Sequence, residues 1–318
     1  MNIFAFYIRH TLDAFRDTNR IVRHFDLIKL NGISVIFKLF FIRFFYAFSF
    51  IRNLSKPKKI KSNTENVFFE NSVNTLNCIK DIHKKGYSEK FQLKEEYKKN
   101  FLNYIFECKN LDLKKLDYST NDILKKKNEN LDDYFVRLKK MKISRVTGYF
   151  DLKKPSEFKN FLISKEILNI VQSYLNTRLV SINASFFISN PVEISDDIKY
   201  QNAQFFHWDN DFRKFVKLYI YLNDVDEHSG PHVFVEQTHK TKDKNHKLCR
   251  LYSDSSIYEK YPKSNIIKFT GSSGSTFFVD SYGIHKGEVP TKKSRILLNI
   301  HFGVGKILYS QGDISVKI

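Results

Sequence analysis

Residues 178–189 read RLVSINASFFIS, and this stretch decides the fold class. Its apolar residues Ile182, Ala184, Phe186 and Ile188 alternate with mostly polar neighbours, which is the period of a β-strand that buries one face. Upstream of this point, apolar residues recur at helical spacing instead. The change of period therefore divides the chain into a helix-rich first part and a strand-rich second part.

Two helices are predicted before the change. Residues 72–86 carry one apolar stripe and end at Gly86, a common helix stop. Residues 156–176 follow a Pro-Ser start and keep helical spacing to their end. Residues 95–145 are rich in Lys and Asn, and we expect helices there without clear bounds.

After the change, short apolar runs are separated by turn residues. They span residues 215–222, 232–235, 266–269, 275–279 and 296–302. Helices followed by many short strands predict an α+β protein built on a β-sandwich or barrel.

The composition limits the possible partners. The 318 residues include 31 Phe and 17 Tyr, enough for a packed core, and their formal net charge is +19. Lysines are spread along the whole chain and no nucleic-acid motif is visible, so we do not expect nucleic acid as a partner. The three cysteines lack CxxC spacing, which argues against a disulfide framework or zinc cluster and fits a cytoplasmic protein.

Residues 1–61 form a hydrophobic and basic extension, which we expect to be helical. In Ile33–Ile51, 15 of 19 residues are apolar, but Lys38 and Arg43 interrupt the run and a basic stretch follows. A central charge costs about 2.5–3.5 kcal/mol in a bilayer, whereas each Phe, Ile or Leu returns about 0.3–0.6 kcal/mol, so the run does not indicate a membrane span.

Two interpretations of this extension have equal weight. Ile33–Ile51 is either a peripheral membrane anchor with a polybasic flank or a buried helix that packs on the main domain. The polar, basic residues 52–66 are typical of a linker. We therefore expect a domain boundary near residue 62, with the extension at 1–61 and the main domain at 62–318.

The chemistry is indicated by residues 204–212, QFFHWDNDF. At i, i+2 spacing on a strand, His207 and Asp209 point to the same face. His285 lies on a later element, within GSTFFVDSYGIHKG (274–287), and a closed sheet can bring such strands together. Two His and one carboxylate on one face of an iron ion leave three positions, for a chelating co-substrate and dioxygen. By itself, His-X-Asp also fits a surface turn.

Arg295 follows His285 by ten residues and opens the strand RILLNIHF (295–302). The planar guanidinium can form a bidentate pair with the distal carboxylate of a dicarboxylate. The order of these pieces along the chain is what favours a metal-dependent oxygenase over a chance match.

In this order, the pieces resemble the phytanoyl-CoA dioxygenase family of iron(II)- and 2-oxoglutarate-dependent oxygenases. The resemblance covers roughly residues 72–305 and rests on KKGY (84–87), FHWDND (206–211), YLNDVDEHSGPHVFVEQTHK (221–240), GSTFFVDSYGIHKG and Arg295. It implies a double-stranded β-helix of the jelly-roll, cupin-like type with flanking helices.

The resemblance also implies roles for single residues. Iron(II) would be held by His207, Asp209 and His285, and 2-oxoglutarate would be bound by Arg295 with Tyr219 nearby. With dioxygen as the second co-substrate, the implied reaction is hydroxylation of an unactivated C–H bond in a small-molecule, lipid, acyl, sugar or secondary-metabolite substrate.

The chain departs from the family pattern at two places. Glu236-Gln237 stand where the family has Pro-Gly, and Lys286-Gly287 stand where small residues commonly follow the last His. These changes leave the substrate open. Other open alternatives are a catalytically silent, binding or structural jelly-roll protein, a cupin-like metal enzyme that does not use 2-oxoglutarate, and a membrane-attached partner of a biosynthetic complex.

Other polar residues have two interpretations each. Clustered histidines could form a second metal site, but ordinary turn and strand histidines fit better; they are His228, His232, His239 and His246. His301 lies on an alternating strand as a core or pocket-lining residue. Residues flanking the ligands are either substrate contacts or surface residues; they are Trp208, Asn210 and Arg213.

Overall fold

The computed structural model describes residues 67–107, 123–126, 128–177, 179–209, 214–243, 251–304 and 314–317. Ile33–Ile51 and the proposed boundary near residue 62 lie outside these ranges, so both interpretations of the extension stay predictions. Within the described ranges, every helix is too short or too polar to cross a membrane.

The described residues form helices before and between the strands of two sheets. The helices are α1 Thr75–Lys85, α2 Glu95–Phe106, α3 Leu131–Lys140, α4 Glu157–Leu162, α5 Lys165–Leu175, α6 Asp196–Gln201 and α7 Asp254–Lys260. The strands are β1 Phe91–Gln92, β2 Arg145–Tyr149, β3 Leu179–Ser189, β4 Phe206–His207, β5 Phe215–Tyr221, β6 His232–Val235, β7 Leu251–Tyr252, β8 Ile266–Phe269, β9 Ser275–Val279, β10 His285–Gly287, β11 Arg295–Gly303 and β12 Ile314–Lys317.

The strands pair antiparallel in two sheets. The seven-stranded sheet has the order β1-β9-β5-β11-β3-β12, with β2 also paired to β3, and the five-stranded sheet has the order β7-β4-β10-β6-β8. A cluster of buried aromatic and aliphatic residues joins the two, with Tyr219, Tyr221 and Phe277 from the first packing on Phe234 and Phe269 from the second. This architecture confirms the predicted α+β fold, a jelly-roll double-stranded β-helix with flanking helices.

The two faces of the seven-stranded sheet differ in chemistry. Its outer face, which packs under the helices, is apolar; on β3 it presents Ile182, Ala184, Phe186 and Ile188 to the main core. Its inner face, which looks towards the five-stranded sheet, carries the alternate residues of the same strands. On β3 these include Ser181, Asn183 and Ser185, which are also buried, so the strand is covered on both faces.

Local capping explains the bounds of the helices near the sheet. The Asn74 side chain accepts a hydrogen bond from the Asn77 N–H, and Gly86 ends α1 with φ 98°, the left-handed conformation that glycine adopts most easily. The predicted single helix over 156–176 is wrong in one respect, since it is interrupted between α4 and α5. The Ser164 hydroxyl accepts from the Ile167 N–H and begins a new helix.

Residues 95–145 contain α2 and α3, as expected, but they lead into a strand that was not predicted. This strand, β2, pairs with β3 along its whole length, from Arg145 opposite Ser189 to Tyr149 opposite Ser185. The helical part of the chain therefore contributes a strand to the seven-stranded sheet, which also carries Arg295 and Tyr219.

Candidate metal centre and co-substrate site

His207 and His285 are brought together by strand pairing. They lie directly opposite each other on β4 and β10, and their ring centroids are 4.3 Å apart. Asp209 follows β4, and its Oδ1 lies 3.8 Å from His207 Nε2 while its Oδ2 lies 3.5 Å from His285 Nε2. One potential ligand atom from each residue lies within 4.8 Å of the other two.

Main-chain carbonyls orient both imidazoles. His207 Nδ1 is 2.8 Å from the Phe205 carbonyl oxygen, and His285 Nδ1 is 2.9 Å from that of Gly283. These contacts assign the proton to Nδ1, so each Nε2 turns its lone pair towards Asp209. Paired imidazole orientation of this kind is typical of metal sites.

The Asp209 carboxylate is buried and held as an anion. Burial opposes its ionisation. The ammonium of Lys217, 2.7 Å from Oδ2, acts in the other direction with His285 and His207, and these three groups together keep the pKa of Asp209 well below its usual range. Burial also lowers the pKa of His285 to about 3, with His207 adding to the effect. At neutral pH the site therefore offers an anionic oxygen and a neutral imidazole, the protonation states in which a metal binds.

The donor set fits a first-row divalent metal. Two imidazole nitrogens and one carboxylate oxygen converge from one side, which is the arrangement of the facial triad of non-haem iron oxygenases. In the part of the chain that the structure describes, this is the one group of His, Cys, Asp or Glu residues with such geometry. A second metal site among the other histidines is therefore not supported there.

Arg295 lies on the inner face at the start of β11 and is only 4% exposed. Its Nη1 donates to the Gly230 carbonyl, and its guanidinium also contacts the Tyr221 hydroxyl. Within the described ranges no carboxylate forms an ion pair with it, Glu288 raises its pKa only from beyond ion-pair distance, and Nε has no hydrogen-bond partner. A buried guanidinium is costly without an anion, so this position is suited to bind one.

Tyr219 stands on the same inner face, two residues from Tyr221 on β5. Its ring centroid is 4.7 Å from that of His232, and burial raises the pKa of its hydroxyl to about 12, which keeps it neutral. Register places Tyr219 opposite Asn299, so it lies between the row of Lys217 and the row of Tyr221. This is the span between the His-Asp-His group and Arg295.

Sequence reasoning missed two residues of this site, Lys217 and His232. Lys217 had a signal, because it lies two positions before Tyr219 on a strand with period two. His232 had none, since its contact with the site depends on the pairing of β6 with β10. That register cannot be read from the chain.

The flanking residues separate into distinct groups. Trp208 points away from the candidate ligands into the outer cluster of the five-stranded sheet, where its indole donates to the Tyr252 hydroxyl at 2.8 Å. His301 is buried on the inner face, and His239 Nε2 lies 3.1 Å from the His83 carbonyl. Asn210, Arg213 and His246 lie outside the described ranges.

The two departures from the family pattern, Glu236-Gln237 and Lys286-Gly287, lie in different surroundings. Lys286 is buried on the outer side of β10, where its ammonium is 2.7 Å from Asp254 of α7. Gly287 lies against Arg295, and a Cβ there would be 3.3 Å from the guanidinium. Gln237, where the family has glycine, takes φ 65°, a conformation that glycine adopts more easily.

Among curated proteins, no significant match is found. Among solved structures, the carbocyclase SnoK from nogalamycin biosynthesis is 13% identical, with a TM-score of 0.48, covering 80% of this chain and 100% of that chain. HygX from Streptomyces hygroscopicus, solved with nickel, 2-oxoglutarate and hygromycin B, is 12% identical with a TM-score of 0.46, covering 71% of this chain and 86% of that chain.

AviO1 from Streptomyces viridochromogenes Tue57 is also 12% identical, with a TM-score of 0.46, covering 76% of this chain and 100% of that chain. At the level of families, the profile described as phytanoyl-CoA dioxygenase (PhyH) matches residues 94–296, more than half of the chain. The chain therefore belongs to the phytanoyl-CoA dioxygenase family, and with it to the enzymes that depend on iron and 2-oxoglutarate.

Proposed function

We propose that this enzyme hydroxylates an unactivated C–H bond of a small polar molecule, with iron(II) held by His207, Asp209 and His285. The observation that carries the proposal is the pairing of this converging group with Arg295, a buried guanidinium that forms no ion pair with a carboxylate of the described residues. A metal-binding jelly-roll protein without a dicarboxylate co-substrate would have no use for such a cation.

The overall reaction balances with one dioxygen. The C–H substrate, O2 and 2-oxoglutarate give the alcohol, succinate and carbon dioxide, and the iron centre supplies the oxidising chemistry when bound. The chain's own residues bind and orient the reactants. Arg295 holds the distal carboxylate, Tyr219 lines the co-substrate site, and Lys217 fixes the carboxylate of Asp209.

Hydroxylation is favoured over halogenation because Asp209 is present. A halogenating enzyme of this chemistry needs a vacant coordination position for halide, which a small residue in place of the carboxylate would leave. In this chain the Asp209 oxygens lie within 3.8 Å of both Nε2 atoms, and Lys217 holds them there.

A polar substrate is favoured over a long acyl chain by the inner face beyond the candidate ligands. Along β11 from Arg295, the row of Leu297 between Phe187 and Tyr221 comes first, and two polar rows follow, Asn299 between Ser185 and Tyr219 and His301 between Asn183 and Lys217. Polar groups are costly to bury, so a wall of this kind suits a substrate that forms hydrogen bonds, such as a sugar or a hydroxylated metabolite.

The test uses purified protein with anaerobically added iron(II), 2-oxoglutarate and a panel of sugars, hydroxylated metabolites and acyl thioesters. We expect succinate release to rise with a polar compound, and the product to gain one oxygen atom from labelled dioxygen. Bromide in the same buffer should give no brominated product. Stimulation by acyl thioesters alone, or bromination, would contradict the proposal.

Peripheral membrane contact through Ile33–Ile51 is a separate proposal, supported by the apolar run and its basic flank. Deletion of residues 1–61 should release the protein from anionic vesicles while leaving metal binding intact. Equal vesicle binding with and without the extension would remove this role.

A further inference from the structure

His232 is a buried polar side chain on the inner side of β6. It is 3% exposed, and register places it opposite Gly287 of β10. In the described part of the chain, its Nε2 has no hydrogen-bond partner. A buried nitrogen without a partner is destabilising, so its retention needs a reason.

The position of His232 is between the two parts of the proposed site. Its ring centroid lies 5.4 Å from that of His285 and 4.7 Å from that of Tyr219. Its main-chain N–H donates to the Tyr221 hydroxyl at 3.0 Å, and Arg295 contacts the same hydroxyl. The imidazole therefore stands along the line from the candidate metal ligands to Arg295.

Two further neighbours are aromatic and offer the imidazole no hydrogen bond. They are the rings of Phe269 and Phe277, with centroids 5.7 Å and 6.1 Å away. A leucine would fill this space without leaving a polar atom unpaired. The polarity of His232 therefore points to a ligand that arrives in the space between the sheets.

We propose that His232 binds the co-substrate, its Nε2–H donating a hydrogen bond to a carboxylate oxygen of 2-oxoglutarate. This inference rests on the proposed function, because it takes Arg295 as the anchor of the same dicarboxylate. His232 would add a second, neutral contact to the charged one. It thereby helps to hold the co-substrate between the candidate metal ligands and Arg295.

The test measures binding rather than turnover. The full chain is loaded with iron(II) under anaerobic conditions and titrated with 2-oxoglutarate, with the charge-transfer absorption of the iron complex as the signal. Hydrogen bonds to a charged group predict that His232→Leu weakens the dissociation constant about ten- to a hundredfold. His232→Gln, which keeps an N–H at a similar reach, should stay within a few-fold of the wild type.

A second polar variant, His232→Asn, guards against a folding defect in His232→Leu. His232→Asn shortens the side chain by one atom relative to His232→Gln, so it should bind 2-oxoglutarate more weakly than the Gln variant. Manganese(II) affinity, followed by electron paramagnetic resonance, should be the same in all variants. Loss of manganese binding in His232→Leu with normal folding would overturn the inference, because His232 would then belong to the metal site.

The outcome also separates this inference from the function on which it rests. If the wild type binds iron and 2-oxoglutarate but the Leu and Asn variants bind the co-substrate equally well, only the role of His232 fails. If the wild type shows no charge-transfer signal with 2-oxoglutarate, the proposed function fails and the role of His232 with it.

Discussion

The two faces of β11 differ in the polarity of their side chains. Outward, Ile296, Leu298, Ile300 and Phe302 are fully buried in the main core. Inward, the alternate positions include Arg295, Asn299 and His301, which are polar. Since successive side chains on a strand point to opposite faces, one segment both stabilises the sheet and lines the site.

The difference shows where stability and chemistry can be separated. Changes on the outer face should alter the free energy of unfolding and leave binding intact. Changes on the inner face should alter binding and leave the fold intact.

Asp209→Ala should abolish turnover and metal binding, because it removes the anionic oxygen and leaves the Lys217 ammonium facing the two imidazoles. The metal-free protein should also lose thermal stability, because the Lys217 ammonium is then buried without its carboxylate partner. Manganese binding and succinate release measure the first effect. Asp197→Ala, at an exposed position on α6, is the matched control. Retained metal affinity in Asp209→Ala would remove it from the ligand set.

Leu298→Ala tests the outer face of the same strand on which Arg295 lies. Leu298 is completely buried, so truncation should lower the free energy of unfolding by about 2–5 kcal/mol. Urea denaturation of the metal-free protein measures this. The dissociation constant of 2-oxoglutarate should stay within about twofold, since the side chain points away from the site. A large loss of co-substrate affinity in the folded variant would show that the two faces are coupled.

Arg295→Lys, on the inner face, should weaken co-substrate binding more than it changes the free energy of unfolding. The change keeps the charge but loses the planar pair of donors, so 2-oxoglutarate should bind about ten- to a hundredfold more weakly. Iron affinity should be unchanged. Anaerobic titration measures both, with Leu298→Ala as the control on the other face. An unchanged co-substrate affinity would exclude Arg295 as the anchor.

The sequence could predict the long strands because their period is visible in the residues themselves. The strands β6, β8 and β9 have the predicted bounds, β5 differs by one residue at one end, and β11 extends the predicted run by one residue at each end. The two-residue strands β1, β4 and β7 are too short to show a period, so their existence depends on their partners. The break at Ser164 was hidden because the apolar spacing continues across it.

The residues of the candidate site also fall into those that local spacing predicts and those that depend on strand pairing. His207 and Asp209 could be grouped from i, i+2 spacing, and Arg295 from its position after His285. Lys217 and His232 contact these residues through tertiary pairing, between β5 and the segment after β4, and between β6 and β10. Contacts of this kind depend on register, which a single sequence does not give. The roles of all these residues stay predictions until the variants are measured.

The smallest predicted effect concerns pH and again contrasts the two faces. Burial lowers the pKa of His301 to about 3, and the nearby Lys217 adds to the effect. Because the pKa is near 6.5 in the unfolded chain, the unfolded state binds more protons between about pH 6.5 and pH 3. Stability is therefore fully present above this window and falls as the pH falls through it, by up to about 1.4 kcal/mol per pH unit for one histidine.

His301→Gln removes the titration but keeps a polar side chain, so the loss of unfolding free energy from pH 7 to pH 5 should shrink by about 2 kcal/mol. Leu298→Ala should lower the stability at both pH values and leave their difference as in the wild type. Urea denaturation of the metal-free variants at the two pH values measures this, and an unchanged difference in His301→Gln would mean that His301 is not held neutral by the fold.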